Sequence, residues 1–206
     1  MDHFFIKIKE SLANELPGES AQLSMSPLKR KIHPTEVKNS KESAVAIVLF
    51  QSNNTIYSLL LQRPEYSGIH SGQICLPGGK VDIIDDSLVE TAIRECFEET
   101  GIPANKLELL GDLTPVYIPV SNHHVQPFVF LHRGEPNLIP DKREVVQIIP
   151  FEIHQLLNHK IIKRKDIFSN QKTLKNIPYF DIHNKMVWGA TAVILNEFKE
   201  ILKKVV

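Results

Sequence analysis

The stretch Leu76–Ile102, LPGGKVDIIDDSLVETAIRECFEETGI, decides the fold. It reads as a glycine loop running into one short helix. Ser87 followed three residues later by Glu90 forms a capping box, so the helix is expected to start at Leu88. Gly101 suits the left-handed position just past a helix end, and Pro103 blocks continuation. Between these marks Val89, Ala92, Ile93, Cys96 and Phe97 fall on one apolar stripe at helical spacing. The other side carries Glu95, Glu98 and Glu99.

Those three carboxylates crowd together, because residues three and four apart are neighbours on a helix surface. Like charges at that spacing oppose the helix, and so does an anion in its C-terminal half, each by roughly a few tenths of a kcal/mol. A hard divalent cation offsets both effects, and Mg²⁺ is commonly shared between carboxylates and substrate phosphates. The plainer reading is a solvated acidic face on which Arg94 pairs with Glu90 and Glu98. The loop in front shifts the balance, since Pro77-Gly78-Gly79 can bring bare backbone close to a ligand.

Gly79, followed by Arg94-Glu95-Cys96-Phe97-Glu98-Glu99-Thr100-Gly101-Ile102, resembles the Nudix box, G-x5-E-x7-R-E-U-x-E-E-x-G-U. The second half matches at every fixed position. Fourteen residues, Lys80 to Ile93, separate Gly79 from Arg94, one more than the pattern has, and Asp86 is taken to meet its first Glu. The resemblance implies an α/β/α sandwich with a mixed sheet between helices, one of them the acidic helix and another the C-terminal one. It implies Mg²⁺ or Mn²⁺ as cofactor, with Glu95 and Glu99 as primary ligands and Gly79 contributing its carbonyl. Glu98 would hold a further ion or help activate water, and Arg94 would orient a glutamate of the box. Members of the family also draw a base or ligand from outside the box, and Glu144 is the candidate here. The reaction class is attack of water on a phosphoanhydride, which asks the protein mainly for position and charge stabilisation.

Composition sets the outer bounds. The chain has 206 residues, 42% hydrophobic and 23% charged, as in an ordinary globular domain. Lys+Arg and Asp+Glu both number 24, which argues against nucleic-acid binding by bulk charge. Cys75 and Cys96 are too few for a disulfide framework and read as reduced, buried thiols. The N-terminus MDHFFIKIKE lacks the continuous apolar core of a signal peptide, and no apolar run approaches a membrane span. With no peroxisomal address at Val206, the expectation is a cytoplasmic protein with neither membrane nor nucleic-acid partners.

The remaining chain alternates strand and helix patterns without a regular βαβ series, which itself favours a mixed sheet sandwiched between helices. Phe4, Phe5, Ile8, Leu12 and Leu16 predict an amphipathic helix over residues 3–16, and residues 17–42 read as an irregular strap. Ser43–Phe50 and Thr55–Gln62 predict a hairpin about the turn Ser52-Asn53-Asn54. Arg63–Leu76 is a long loop of the kind that is often functional. Leu107–Val116 and Val125–His132 read as strands flanking a loop, Tyr117–His124, whose His123 and His124 read as solvated. Glu144–Ile149 reads as a short strand and Pro150–Asn158 as a short helix. Residues 159–176 are basic and weakly patterned, with Lys160–Lys175 read as a solvated loop. Ile177–Ile182 and Met186–Trp188 are predicted strands about His183-Asn184, and Gly189–Lys204 a closing helix. On this reading residues 1–42 are an N-terminal helix and strap packed on a Nudix domain of residues 43–206.

Upstream of the box, Leu59-Leu60-Leu61-Gln62-Arg63 and His70-Ser71-Gly72-Gln73-Ile74-Cys75-Leu76-Pro77-Gly78-Gly79 resemble the signature of the coenzyme A pyrophosphatase branch. Thr114–Val129 and Val187–Leu195 are similar to that branch as well. The resemblance implies hydrolysis of coenzyme A or its esters to 3′,5′-ADP and (acyl-)4′-phosphopantetheine. Arg63, His70, Gly72 and Gly78 are the substrate-binding candidates. Arg63 and His70 are the cations expected to meet the 3′-phosphate, which charge-assisted hydrogen bonds favour. Two alternatives stand beside this: a Nudix hydrolase of ADP-ribose or a dinucleotide, and a Nudix-fold sensor that binds a nucleotide without cleaving it. A homodimer is left open.

Overall fold

The computed structural model describes residues 2–27, 39–68, 70–169 and 172–206. In chain order the elements are α1 (Asp2–Ala13), α2 (Gly18–Leu23), β1 (Lys41–Ser52), β2 (Thr55–Gln62), β3 (Ile74–Cys75), β4 (Gly78–Lys80) and α3 (Leu88–Thr100). They continue with β5 (Leu107–Asp112), β6 (Val116–Ile118), β7 (His123–His132), β8 (Gln147–Glu152), β9 (Ile162–Ser169), β10 (Lys172–Ile182), β11 (Lys185–Val187) and α4 (Gly189–Val205).

The main sheet runs β3-β2-β1-β7-β5, with β4 added to β1, β6 to β7 and β8 to β2. Its central pair, β1 and β7, is parallel, from Lys41↔His123 to Phe50↔His132. The other pairings are antiparallel, so the sheet is mixed. The apolar run of β1 serves two cores because successive side chains alternate between faces. Ala44, Ala46, Val48 and Phe50 pack with Ala92 and Cys96 of α3. Ile47 and Leu49 pack on the other face with Phe198 and Leu202 of α4 and with Ile8 and Leu12 of α1. The result is the expected sandwich of a mixed sheet between helices. A separate antiparallel sheet, β11-β10-β9, stands beside it.

The hairpin β1–β2 turns at Asn53 and Asn54, both with positive φ, as a two-residue turn between twisted strands requires. His183 and Asn184 do the same between β10 and β11.

Several expectations are corrected. Part of the strap is α2, and β1 begins at Lys41 rather than Ser43; residues 28–38 lie outside the described residues. The loop Tyr117–His124 is mostly hairpin, with β6 paired to β7 through Val116↔Val125 and Ile118↔His123. Glu144 lies in a turn and opens no strand; β8 starts at Gln147 and runs through Pro150 to Glu152, so the short helix expected over Pro150–Asn158 is confined to a 3₁₀ turn at Ile153–Leu157, with Ile153 and Leu156 buried. Pro150 is tolerated because β8 pairs only with β2 among the described residues, leaving one edge without a ladder to break. The basic stretch Lys160–Lys175 is not a solvated loop: it supplies most of the β9–β10 hairpin. Backbone pairing holds that hairpin, while its largely exposed side chains give no apolar alternation to read.

The N-terminal segment is stapled to the sandwich by buried polar side chains of α4: Asn196 donates to the Ala21 carbonyl and to Ser24 Oγ, and Glu197 makes the larger set of bonds. The Glu197 carboxyl of α4 accepts from the Gly18 N–H at 3.1 Å and from Gln22 Nε2 at 2.8 Å. It also accepts from the Thr114 N–H at 3.3 Å and from its hydroxyl at 2.6 Å. No helix among the described residues is long and apolar enough to cross a membrane. Glu197→Ala strands these donors in a buried site, so urea unfolding should show a loss of about 2–3 kcal/mol. A loss below ~0.5 kcal/mol would mean that the staple contributes nothing.

Candidate active site

The acidic helix has the ends its sequence predicts. Ser87 Oγ accepts from the Glu90 N–H at 3.3 Å, and Gly101, at φ +77°, donates to the Phe97 carbonyl at 2.8 Å. The return arm of the capping box goes one residue further back, where the Asp86 N–H donates to Glu90 Oε2 at 2.9 Å. Phe97 departs from the expected apolar stripe and is largely exposed.

Two glycines let this helix lie against β4. Gly78 has φ +150°, and a Cβ there would stand 2.3 Å from the Ala44 carbonyl oxygen. A Cβ on Gly79 would stand 2.3–2.5 Å from the carboxylate atoms of Glu95, which therefore covers a bare backbone. Strand β4 is itself held by β1 through Ala44↔Gly79 and Val45↔Gly78.

Glu99 is the buried member of the acidic group. Its residue is 3% exposed, against the expectation of an outward-facing side chain, and its Oε2 accepts from the Gly78 N–H at 2.8 Å. Arg63 Nη1 stands 4.0 Å from its other oxygen. Burial pushes the Glu99 carboxyl up to about 7, against the pull of Gly78 and Arg63 and with repulsion from Glu95 and Glu144. Glu95 is also raised by burial, opposed by Arg94 and assisted by the charges of Glu98 and Glu144. Glu98 is 54% exposed at its side chain, with Arg94 Nη1 3.4 Å away. Glu144 reaches this group from its turn; Arg143 pairs with Asp141 at 2.6 Å instead.

Glu95, Glu98, Glu99 and Glu144 thus form an all-oxygen set whose members repel one another, with the Gly79 backbone beneath. That donor chemistry fits Mg²⁺ or Mn²⁺. Among the described residues no three His, Cys, Asp or Glu side chains are already arranged as ligands, because Glu95 is held by Arg94 and Glu99 by Gly78.

Arg94 organises the loop as well as the helix. Its Nε and Nη2 donate to the two oxygens of Asp85 at 2.8 and 2.9 Å, and Nη2 donates to the Lys80 carbonyl at 2.9 Å. Its Nη1 donates to Glu95 at 2.9 Å. The Asp85 carboxyl is held well below the usual carboxylate range, chiefly by these bonds from Arg94. Asp85, not Asp86, therefore stands where the first acid of the box was expected. Counting forward from Gly79 instead of back from Arg94 finds it, and the extra residue then falls behind it.

Arg63, His70, Gly72 and Gly78 all border one open cleft of about 1360 Å³. The loop carrying them closes on itself, with the Arg63 N–H donating to the Gln73 carbonyl at 3.0 Å and the Gly72 N–H to Pro64 at 3.0 Å. His70 Nδ1 lies 3.0 Å from Gln73 Oε1. Arg63 leans toward the acidic group, with Cys75 Sγ also 4.0 Å from Nη1. The cleft adds Lys41, Lys80 and Lys185, none singled out in the sequence, and His123, which was read as solvated but is half-buried with its Nδ1 3.1 Å from Ser43 Oγ. Of the three lysines only Lys80, directly after Gly79, offered a sequence signal.

A glycine strand under a capped acidic helix, beside a wide cleft, defines a hydrolase of the Nudix type. The NUDIX domain family model matches residues 40–171, and the chain belongs to the Nudix hydrolase family. It is 29% identical over 169 residues to the uncharacterized Nudix hydrolase NudL of Yersinia pestis (strain Pestoides F), covering 82% of each chain. Among solved structures it is similar in fold to the Nudix hydrolase RenU of M. smegmatis, with a TM-score of 0.57 at 15% identity over 81% of this chain and 88% of that one. It is also similar to a MutT/nudix family protein of Enterococcus faecalis, with a TM-score of 0.50 at 17% identity over 84% and 66% of the two chains.

Asp85→Asn should lower kcat by at least ~10-fold by loosening the Arg94 fork, whereas Asp86→Asn, on the exposed side, should stay within about twofold. Equal effects of the two, measured under saturating substrate, would return the position to Asp86. A second prediction follows from Glu99. Its raised carboxyl contributes stability in the protonated form, present below its ordinary 4.5 and lost as pH rises through about 7. In EDTA, Glu99→Gln should therefore unfold at a higher temperature than the parent at pH 8, and the difference should shrink toward pH 5. A variant less stable than the parent at pH 8 contradicts this.

Proposed function

We propose that the protein hydrolyses the pyrophosphate linkage of coenzyme A or its esters, giving 3′,5′-ADP and (acyl-)4′-phosphopantetheine. One observation carries this reading. The segments that resemble the coenzyme A branch are far apart in sequence, yet Arg63, His70, Gly72, Ile118, Trp188 and Thr191 from those segments border one cleft beside the acidic group. The functional unit runs from β1 to α4, starting two residues before the 43–206 expected, with α1 and α2 as an addition packed on it.

In this reading Glu95, Glu99, Glu98 and the Gly79 carbonyl hold Mg²⁺ or Mn²⁺. The ion, when bound, neutralises phosphate oxygens and lowers the pKa of water. Arg94 fixes Glu95 and the loop. Glu98 and Glu144, the exposed carboxylates of the group, are the candidates for taking a proton from the attacking water. The Gly78–Gly79 backbone, Arg63, His70 and Gly72 form the substrate side, with the Arg63 cation next to Glu99 and the reacting linkage.

A panel of coenzyme A, dephospho-coenzyme A, ADP-ribose and a dinucleoside polyphosphate, with product identification, tests the assignment. Coenzyme A should give the highest kcat/KM. EDTA should abolish turnover reversibly, and Glu95→Gln and Glu99→Gln should each lose on the order of 100-fold or more. Much faster turnover of ADP-ribose or the dinucleotide would remove coenzyme A as substrate, and saturable binding without any product would make the protein a sensor.

A further inference from the structure

The cleft is of one charge sign, although the chain as a whole has as many acids as bases. Lys41, Arg63, Lys80 and Lys185 line it with His70 and His123, and none of its described lining residues is Asp or Glu. Two of the cations are already engaged. Arg63 leans on Glu99 and Cys75, and Lys185 Nζ donates to Gln62 Oε1 at 3.0 Å. Among the described residues Lys41 and Lys80 make no ion pair.

Strand pairing places these two lysines together. On β1, Lys41 and Ser43 are two residues apart and share a face. Lys41 is opposite His123 on β7, and Ser43 is opposite Lys80 on β4. Residues directly opposite one another on neighbouring strands are also on one face. Ser43 Oγ lies 3.1 Å from His123 Nδ1, which closes the group. The intervening Glu42 belongs to the other face. His123 is held below its ordinary value first by burial and then by the charges of Lys80, Lys41 and His70. The corner thus concentrates positive charge with no Asp or Glu among the described residues lining it, and a cleft of one sign focuses its field on an incoming anion.

The acidic helix is on the opposite side of β1, packed on the face of Ala44 and Ala46. The corner is therefore distinct from the carboxylate group, and separated from it by the strand pair β1–β4. A phosphomonoester carries close to two charges at neutral pH, whereas each phosphorus of a doubly esterified pyrophosphate carries one. Two lysines that make no ion pair among the described residues, with a histidine beside them, match the former.

The geometry points to a phosphomonoester-binding corner formed by Lys41, Lys80 and His123, which holds the 3′-phosphate of the substrate while Arg63 attends the scissile linkage. The assignment rests on the coenzyme A reading for the identity of that phosphate, and it moves the phosphate away from Arg63 and His70, where the sequence had put it.

Calorimetric titration with adenosine 3′,5′-bisphosphate and with 5′-AMP tests the corner without any turnover. The parent should bind the bisphosphate about tenfold or more tightly than 5′-AMP. Lys41→Ala and Lys80→Ala should each remove most of that advantage, Lys80→Arg should retain it, and Arg63→Ala should weaken both ligands alike. Both lysines are exposed, and unchanged thermal unfolding of the variants confirms that the fold is kept. Equal affinity of the parent for both ligands overturns the corner. So does a loss that is the same for both ligands in the lysine variants, or an advantage that disappears only in Arg63→Ala. The turnover ratio of coenzyme A to dephospho-coenzyme A separates the two ideas. A lysine-dependent bisphosphate preference without cleavage of coenzyme A sinks the substrate and keeps the corner. Cleavage of coenzyme A without that preference does the reverse.

Discussion

The hydrogen bond from the Gly78 N–H to the Glu99 carboxylate ties the helix to the sheet at the point where chemistry is expected. It needs a carboxylate in the last turn of α3, a backbone donor turned toward it, and a helix lying close on β4. Gly78 meets the second condition by a φ that other residues rarely adopt, and Gly79 meets the third by leaving room for Glu95. Burying a carboxylate is costly unless it is hydrogen-bonded. Here one backbone donor and a distant guanidinium satisfy it only in part, and its proton affinity rises accordingly. The site is thus poised to gain from an added cation, and that tension connects the acidic helix to the glycine strand.

Around that bond the charges are sorted by strand alternation. Successive residues of β1 face opposite ways, so the side carrying Ala44 and Ala46 receives the acidic helix, and the side carrying Lys41 and Ser43 opens on the cleft. A chain with balanced charge thereby presents an anionic group and a cationic wall within a few residues of each other. Arg94 and Arg63 stand at the boundary. The first is fully committed to Asp85, Glu95 and the Lys80 carbonyl; the second leaves its Nε buried without a partner in this structure. A buried donor left unmet is costly, and a ligand oxygen would relieve it.

The sequence alone determined whatever depends on neighbours along the chain. The span of α3, its Ser87 and Gly101 ends, the Asn53-Asn54 turn and the buried run of β1 are set by local backbone preference and periodicity. The family followed from Arg94–Ile102, because that spacing fixes which side chains share a helix face. Tertiary structure decided the rest. Whether Glu99 faces water or protein depends on what packs over the helix, and the spacing of three glutamates is the same in either case. Asp85 and Asp86 are equivalent on paper, and only the path of the loop brings one of them into the Arg94 fork. The β9–β10 hairpin is held by backbone bonds that leave little trace in a polar sequence. Lys41, Lys80 and His123 come from three separate strands, and it takes the parallel β1–β7 pairing and the short β4 to set them on one face.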